Sequence, residues 1–332
     1  MIDKPIIGIT MGDAAGIGPE IINKALSIGE IHDFCRPLVI GDVRILSRAQ
    51  EVARTHLEIR RVENVSEAKF SHGSMDVLDL SNVDLTELKM GKAQAMAGRA
   101  SFEYIKRAVE MAIRGDIDAI TTAPISKEAL NLAGYNYPGH TEILADLTHS
   151  NDYAMMLVAG SLRVILVTIH VSLREAIDLI KKDNVLATIR LAHQSMLRFG
   201  ISDPRIVVAG LNPHAGEAGM FGREDINEIT PAVESAKNLG INVVGPLPAD
   251  TVFCRANKGQ FDIVVAMYHD QGCIPIKLLG FEIGVNITIG LPIVRTSPDH
   301  GTAYHRARLG LGTANPASLV EAIKVAARLS RA

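Results

Sequence analysis

Residues 267–303, MYHDQGCIPIKLLGFEIGVNITIGLPIVRTSPDHGTA, are the segment around which the chain is organised. The segment is too apolar for a surface loop, yet it carries polar side chains suited to metal binding, anion binding and a cofactor turn. These are His269, Asp270, Lys277, Asn286, Arg295 and the turn His300, Gly301, Thr302 and Ala303. From these residues alone, the three chemistries could belong to one site or to separate sites.

Two further histidines follow apolar runs in the same way as His269. His170 follows VILVTI and His214 follows VVAGLNP. Ligands of α/β sheets bind beyond the carboxyl ends of the strands, so histidines far apart in sequence can meet there. Neutral imidazoles suit zinc, cobalt, nickel or manganese, and three protein ligands with one open position describe a catalytic metal site. A hydrogen-bonded core position explains any one histidine better, but the repeated context makes the metal site an equal alternative.

Lys277, Asn286 and Arg295 are each flanked by apolar residues. A buried cation needs an anionic partner, because an unpaired charge is costly in a protein interior. A substrate phosphate or carboxylate would supply that partner. An internal carboxylate such as Glu282 or Asp299 is an equal alternative.

The rest of the chain alternates between strand and helix patterns, which indicates an α/β fold. A buried strand at residues 5–10 leads into the turn GDAAGIGPE, where Pro19 suits the first position of a helix. This turn does not match the dinucleotide fingerprint G-x-G-x-x-G. Further along, the sequence PISK predicts a turn from strand to helix with Ser126 as the N-cap. Two consecutive apolar runs, 154–159 and 163–170, predict an antiparallel hairpin closed by Gly160 and Ser161.

Composition excludes several classes of protein. The 332 residues are enough for about two domains. The chain has 34 basic and 37 acidic residues, which give a formal charge of −3 without long runs of one sign. This balance argues against a nucleic-acid partner. Three cysteines without metal or redox spacing argue against a disulfide scaffold and fit a reducing cytoplasm. No export signal or membrane span is recognisable, so we expect a cytoplasmic protein.

Two weaker signals have ordinary explanations. His140 and Thr141 in GHTE face a common space beside a glycine, but Thr141 could simply cap the helix that begins there. Cys273 adjoins the pair His269-Asp270, but a small buried thiol is the better explanation.

Taken together, several ordered blocks resemble the 4-hydroxythreonine-4-phosphate dehydrogenase family. The blocks are TMGD-xx-GIGPE from residue 10, TTAPISK from 121, GHTE from 139, NPHAGE-xG from 212, MYHDQG-xxPxK from 267 and G-xN-xTxGLPxxRTSxDHGTA from 284. The resemblance extends over nearly the whole chain. It looks closer to the branch that acts on D-threonate or D-erythronate 4-phosphate, particularly in NYPGHTE and HS-x-DYAM.

The resemblance implies an isocitrate/isopropylmalate-dehydrogenase-like fold of two α/β/α domains with mixed sheets and a cleft between them. We expect one domain to comprise residues 1–132 and 302–332. The other, residues 133–301, would carry most metal and substrate residues and the interface of a homodimer with shared active sites. The resemblance also implies a divalent metal, Zn, Co, Mn or Mg, held by His170, His214 and His269. Substrate contacts are implied for His140, Thr141, Lys277, Asn286 and Arg295.

The implied reaction is NAD-dependent oxidation of a secondary hydroxyl, giving a β-keto acid that loses CO2. Asp270 is a candidate general base, or it orients a metal-bound histidine. The substrate is D-threonate or D-erythronate 4-phosphate, or 4-phosphooxy-L-threonine if the chain belongs to the branch that serves pyridoxine biosynthesis. The cofactor turn is assigned to residues 300–303.

The chain departs from the family pattern in two places. Ala14 replaces a usual proline in GDPAGIGPE. After HGTA the family commonly reads close to x-D-I-A, whereas this chain has Tyr304, His305, Arg306 and Ala307. The loss of the acidic residue and the gain of positive charge near the implied adenosine site leave NADP open as the cofactor.

Other functions fit part of the pattern. A zinc hydrolase would explain the three histidines but leaves HGTA unused. An aromatic cis-dihydrodiol dehydrogenase could use the same scaffold, although its substrate has no phosphate. A catalytically idle dimer with a structural metal is the remaining alternative.

Overall fold

The computed structural model describes residues 4–331. The first part of the chain forms β1 Ile6–Thr10, α1 Gly18–Leu26, α2 Ile31–Phe34, β2 Arg36–Gly41, α3 Val43–Ala53, β3 Glu58–Val62, a 3-10 turn Val65–Glu67, β4 Ser74–Asp79, α4 Ala95–Arg114, β5 Ala119–Thr122, α5 Lys127–Leu132 and α6 His140–Leu147. The middle part forms β6 Ala154–Ala159, β7 Leu162–Leu166, α7 Leu173–Leu179, α8 Lys182–Arg198, β8 Ile206–Ala209, a turn Pro213–Gly219, a π-helical turn Asp225–Ile229, α9 Thr230–Asn238, β9 Val243–Leu247, α10 Ala249–Asn257, β10 Ile263–Ala266, α11 His269–Gly280 and β11 Val285–Ile289. The last part forms β12 Arg295–Pro298, α12 Tyr304–Leu309 and α13 Ala317–Leu329.

The contacts within the chain define two compact units. The first unit comprises the described residues up to 151 together with 291–331, and the second comprises 152–290. These bounds differ from those of the predicted domains, since residues 133–151 and 291–301 belong to the first unit and not to the second. The reason is local packing. Helix α6 packs against α4, and β12 pairs in parallel with β5.

The first unit contains a parallel sheet with the strand order β3-β4-β2-β1-β5-β12. Its central strands are short runs of buried aliphatic residues, as expected for a parallel sheet covered by helices. Helices α4 and α13 each pack against β1 and β5. The carboxyl ends of β1 and β5 lead into GDAAGIGPE and TAPISK, so the two turns are neighbours.

The second unit contains a mixed sheet with the strand order β11-β6-β7-β10-β8-β9. Strands β6 and β7 form the predicted antiparallel hairpin, and β11 adds antiparallel to β6. Strands β7, β10, β8 and β9 run parallel. Helices α8, α10 and α11 pack on this sheet. The predicted α/β class with a mixed sheet is therefore confirmed.

Residues 267–303 are less buried than the sequence suggested. They form α11, β11 and β12 and are divided between the two units. Helix α11 buries Cys273 and Ile276 against the sheet, which confirms the buried-thiol interpretation. Its opposite face presents Ile274 and Leu278, which are 57% and 82% exposed, and the C-cap residue Phe281 is 71% exposed. The sequence did not predict which face of the helix is exposed, because apolar residues cover both faces.

Two other local expectations are confirmed. Ser126 caps α5, since its hydroxyl oxygen accepts from the amide of Ala129 at 3.2 Å. Cys35, Cys254 and Cys273 are all free. Within residues 4–331, no helix combines the length and the apolar character that crossing a bilayer requires.

Candidate active site

In the second unit, His170 and His269 lie together beyond the ends of β7 and β10. Their ring centroids are 5.7 Å apart. The two strands are parallel neighbours in register, which brings the segments that follow them to one edge of the sheet. Both histidines line an open cavity of about 280 Å³ with Tyr268 and Asp270. The structure therefore brings together two of the three predicted metal ligands.

Asp270 fixes the orientation of the His269 ring. Its Oδ1 lies 2.7 Å from Nδ1 of His269. An ionised carboxylate can only accept, so Nδ1 carries the proton and Nε2 of the neutral ring keeps its lone pair. A carboxylate that holds the far nitrogen is the usual outer partner of a metal-binding histidine. The donor chemistry of His269 thus suits a divalent metal.

His214 is positioned by an unusual turn after β8. Five successive residues from His214 to Ala218 have positive φ, and His214 packs near Phe221 with ring centroids 6.2 Å apart. Among the described residues of one chain, no three His, Cys, Asp or Glu side chains form a group that could hold a metal ion. His214 thus does not complete a three-residue group with His170 and His269 within one chain. The turn, rather than the strand end, decides where it lies.

The buried carboxylate of Asp225 holds this turn. Its two oxygens accept from the amides of Leu211 at 2.9 Å and Asn212 at 3.1 Å, and Oδ2 also accepts from Nδ2 of Asn212 at 3.0 Å. The sequence analysis missed this residue. The available signal was an acidic residue a short distance after NPHAG, which is too common to identify a positioning carboxylate.

We expect Asp225→Ala to destabilise the protein by roughly 3 kcal/mol, because two partly buried amides lose their acceptor and each loss costs about 1–3 kcal/mol. Urea unfolding measures this change. Asp203→Ala is the matched control, since among residues 4–331 this exposed carboxylate accepts only from the side chain of Asn242 at 3.2–3.3 Å. Equal midpoints for the two variants would contradict the assigned role.

The predicted anion-binding residues of the second unit differ in burial. Lys277 is exposed on the outward face of α11, so the expectation of a buried ammonium group was wrong. Asn286 is half-buried on β11, and its Nδ2 lies 3.1 Å from Sδ of Met155. Its Oδ1 is buried and has no hydrogen-bond partner among the described residues.

In the first unit, Arg295 is the buried cation that the sequence predicted. It begins β12, is only 2% exposed, and donates to Oγ1 of Thr122 from Nε at 3.2 Å and from Nη2 at 2.7 Å. Burial lowers its pKa to about 9, and the charge of Glu142 opposes that shift. The guanidinium is therefore still charged at neutral pH.

His140 begins α6 beside Arg295. Burial, and then the charge of Arg295, hold the pKa of the imidazole well below its ordinary value, while a hydrogen bond to the Ala123 backbone raises it. The ring is therefore neutral at pH 7. Its Nε2 is buried and has no hydrogen-bond partner among residues 4–331, and the same holds for Oε2 of Glu142. A neutral nitrogen without a partner is placed to accept a hydrogen bond from a ligand hydroxyl.

Thr141 does not cap α6, contrary to the alternative considered from the sequence. Gly139 occupies the N-cap position, and Thr141 lies inside the first turn with a buried side chain.

The predicted cofactor turn packs against the glycine-rich turn that follows β1. The amide of Ile17 donates to the carbonyl of Thr302 at 3.0 Å, and a Cβ added at Gly16 would meet Thr302 at 3.1 Å. Tyr304 donates to Oδ2 of the buried Asp13 at 2.7 Å. Burial raises the pKa of both Asp13 and Tyr304.

Next to this turn, the first unit contains a cavity of about 310 Å³. It is bounded by the turn after β1, by α1 and α3, and by α12. Most of its wall is apolar, but Arg48 and Arg308 also line it. The sequence analysis missed both arginines, because α3 lies far from α12 in the sequence and only folding brings them to one cavity.

Comparisons with known proteins identify the family. The family model described as pyridoxal phosphate biosynthetic protein PdxA matches residues 33–326. D-threonate 4-phosphate dehydrogenase of Cupriavidus necator is 52% identical over 327 residues, which cover 98% of this chain and 97% of that protein. The crystal structure of 4-hydroxythreonine-4-phosphate dehydrogenase from Klebsiella pneumoniae has a TM-score of 0.92 and 46% identity, with 99% of each chain covered.

A more distant solved structure is terephthalate 1,2-cis-dihydrodiol dehydrogenase from Burkholderia xenovorans, with a TM-score of 0.67, 30% identity and 98% of each chain covered. All three relatives bear the names of dehydrogenases, as expected for oxidoreductases acting on CH–OH groups. With a family match over most of its length and close relatives over nearly all of it, the chain belongs to the PdxA family.

Proposed function

We propose that the protein oxidises D-threonate 4-phosphate or D-erythronate 4-phosphate with a nicotinamide cofactor, and that the β-keto acid formed then loses CO2. The observation that supports this most directly is the buried guanidinium of Arg295 beside the unpartnered Nε2 of His140. The first group suits an anion and the second suits a hydroxyl, and a phosphorylated hydroxy acid offers both. The 52% identity to a D-threonate 4-phosphate dehydrogenase favours this branch over 4-phosphooxy-L-threonine.

We assign the substrate contacts as follows. Arg295 and Lys277 bind the charged phosphate and carboxylate groups, since guanidinium and ammonium donors pair well with both. His140 accepts a hydrogen bond from a substrate hydroxyl, and Asn286 and Thr141 complete the polar contacts. The buried Oδ1 of Asn286, which has no partner among the described residues, supports its assignment.

We assign the metal to His170, His214 and His269. These three imidazoles would hold a divalent ion, which would act as a Lewis acid, lower the pKa of the substrate hydroxyl and stabilise negative charge on its oxygen. The orientation of His269 by Asp270 supports this assignment and favours a positioning role for Asp270 over that of a general base. Zn, Co, Mn and Mg all remain candidates for the ion.

We further propose a homodimer whose active sites are shared between subunits. Two observations support it. His214 does not join His170 and His269 within one described chain, so a second copy would be needed to supply the third ligand. The outward face of α11 exposes Ile274 and Leu278 near Lys277, its C-cap residue Phe281 is also exposed, and such an apolar patch is typical of an interface. Sedimentation equilibrium measures the assembly state, and a monomer that turns over substrate at full rate would refute the shared site.

The test of the activity is a substrate panel. D-threonate 4-phosphate, D-erythronate 4-phosphate and 4-phosphooxy-L-threonine are each combined with NAD and with NADP, and cofactor reduction is followed at ~340 nm, with a metal-depleted sample in parallel. We expect reduction with the first two acids and its loss after treatment with a chelator. No reduction with any of the three acids would refute the proposal.

Related measurements distinguish two alternative functions from the proposed one. A zinc hydrolase would turn over its substrate without a nicotinamide cofactor. An aromatic cis-dihydrodiol dehydrogenase, which the likeness to the Burkholderia xenovorans structure supports, would reduce the cofactor with a substrate that has no phosphate. Its activity should then depend little on Arg295 and Lys277. A cytoplasmic location stays a prediction from the sequence.

A further inference from the structure

The start of α6, where His140 lies, is weakly held by its own backbone. Gly139 occupies the N-cap position without a side-chain hydrogen bond, and the amide of Ile143 donates to the carbonyl of Gly139 over 3.4 Å. Residues 133–139 connect α5 to this helix start. Contacts of the connecting segment are therefore needed to fix the direction in which α6 begins.

Two tyrosines of the segment pack on α4. The ring of Tyr135 stacks on Phe102 with centroids 4.0 Å apart and 14° between the planes. The ring of Tyr137 is nearly parallel to the same phenylalanine, with centroids 6.2 Å apart at 12°. All three side chains are half-buried, whereas Asn136 between the tyrosines is exposed. Aromatic pairs attract each other at such distances, so these contacts hold the segment against α4.

Tyr137 also forms a polar contact with α6 itself. Its hydroxyl donates to Oδ2 of Asp146 at 2.5 Å, and this hydrogen bond raises the pKa of Tyr137. Hydrogen bonds to carboxylates are stronger than those between neutral groups. Asp146 lies in the last turn of α6, so the bond ties the chain before the helix to its far end. The hydroxyl of Tyr135 forms no hydrogen bond with another residue of the described range 4–331.

We propose that Tyr137 is a positioning residue for substrate binding, which fixes the ring of His140 by tying the segment before α6 to Asp146. The inference rests on the proposed function, because that function assigns His140 to a substrate hydroxyl. Within the described part of the chain, Nε2 of His140 has no partner, so no internal hydrogen bond fixes the ring from that side. Hydrogen bonds weaken steeply when their angle is distorted, so the ring must be held accurately by other means.

The first test is a set of conservative variants. Tyr137→Phe keeps the ring on Phe102 and removes the hydroxyl. We expect it to raise the KM for D-threonate 4-phosphate about tenfold, since a hydrogen bond to a charged group contributes roughly that factor. The KM for the nicotinamide cofactor should not change. Asp146→Ala should give a similar rise, and Asp146→Asn, which keeps an acceptor, a smaller one. Tyr135→Phe is the matched control and should leave both constants unchanged.

A double-mutant cycle tests whether Tyr137 acts through His140. In the His140→Ala background, Tyr137→Phe should raise the substrate KM no further, because the ring that it positions is absent. A further rise of the same size would overturn the proposal. An unchanged substrate KM in Tyr137→Phe, or equal rises in the KM for substrate and cofactor, would overturn it as well.

A measurement without turnover separates this inference from the proposed function. The ring of His140 is followed by NMR titration of isotope-labelled histidine, and His140→Ala identifies its signal. Burial holds the pKa of this ring well below its ordinary value. We expect the pKa to rise in Tyr137→Phe but not in Tyr135→Phe, because a displaced ring gains solvent.

The two proposals can therefore fail separately. A raised pKa of His140 in Tyr137→Phe, without turnover of any phosphorylated acid by the unaltered protein, would refute the proposed function while Tyr137 still positions the ring. Turnover of D-threonate 4-phosphate, with the pKa of His140 and the substrate KM both unchanged in Tyr137→Phe, would do the reverse.

Discussion

Replacing His269 by alanine is expected to lower kcat/KM by roughly a thousandfold, since the assigned metal supplies several kcal/mol of charge stabilisation in the transition state. The variant should also lose its bound metal, which is measured by atomic emission on the purified protein. Chelator treatment of the unaltered protein should cause the same loss of kcat/KM. Adding metal back should restore the activity of the unaltered protein but not that of the variant. Tight metal binding by the variant would contradict the assignment.

Two controls separate this result from a general effect of losing a histidine. His56→Ala removes an exposed histidine from the first unit and should leave both metal content and kcat/KM unchanged. The double variant His170→Ala/His269→Ala should lose little more activity than either single variant, because ligands of one metal act as a unit. Additive losses would indicate that the two rings, though 5.7 Å apart, serve different roles.

Arg295→Lys is expected to raise KM for the phosphorylated substrate by about 10- to 100-fold, because an ammonium group cannot reproduce the fork of a guanidinium. The KM for the nicotinamide cofactor should change little, since the cofactor turn is assigned to residues 300–303. Steady-state kinetics with each ligand varied in turn measures the two constants. A rise in the KM for the cofactor alone would contradict the assignment of Arg295 to substrate binding.

Arg60→Lys is the matched control for Arg295→Lys. Arg60 is a partly buried arginine on β3 of the same unit, and its Nε lies 3.0 Å from Oδ1 of Asp76. Both variants keep the positive charge and lose the planar donor group, so their effects on stability should be similar. Only Arg295→Lys should affect substrate binding.

Local patterns in the sequence were sufficient for most of the elements. The apolar runs that became β1, β6 and β10 are short and bounded by turn residues, so strand was the consistent interpretation. Ser126 before α5 signalled a helix start. His170 and His269 each come after an apolar strand, and this position correctly predicted that the two side chains lie together.

Residues 267–303 show where such patterns stop working. Periodicity could not separate α11 from a buried strand, because apolar residues lie on both of its faces. It also gave no reason for Lys277 to be exposed while Arg295 is buried, although both have apolar neighbours in the sequence. Burial depends on which element covers a side chain, and that is settled by contacts between residues far apart in the chain.

The sequence by itself determined the α/β class, the family and the residue types from which a metal-dependent dehydrogenase could be built. Local propensity and ordered motifs carry this information, and neither needs tertiary contacts. The tertiary structure alone decided that Asp225 holds the turn of His214 and that Arg48 and Arg308 line one cavity. These relations join residues that only packing brings together, so no local pattern could encode them.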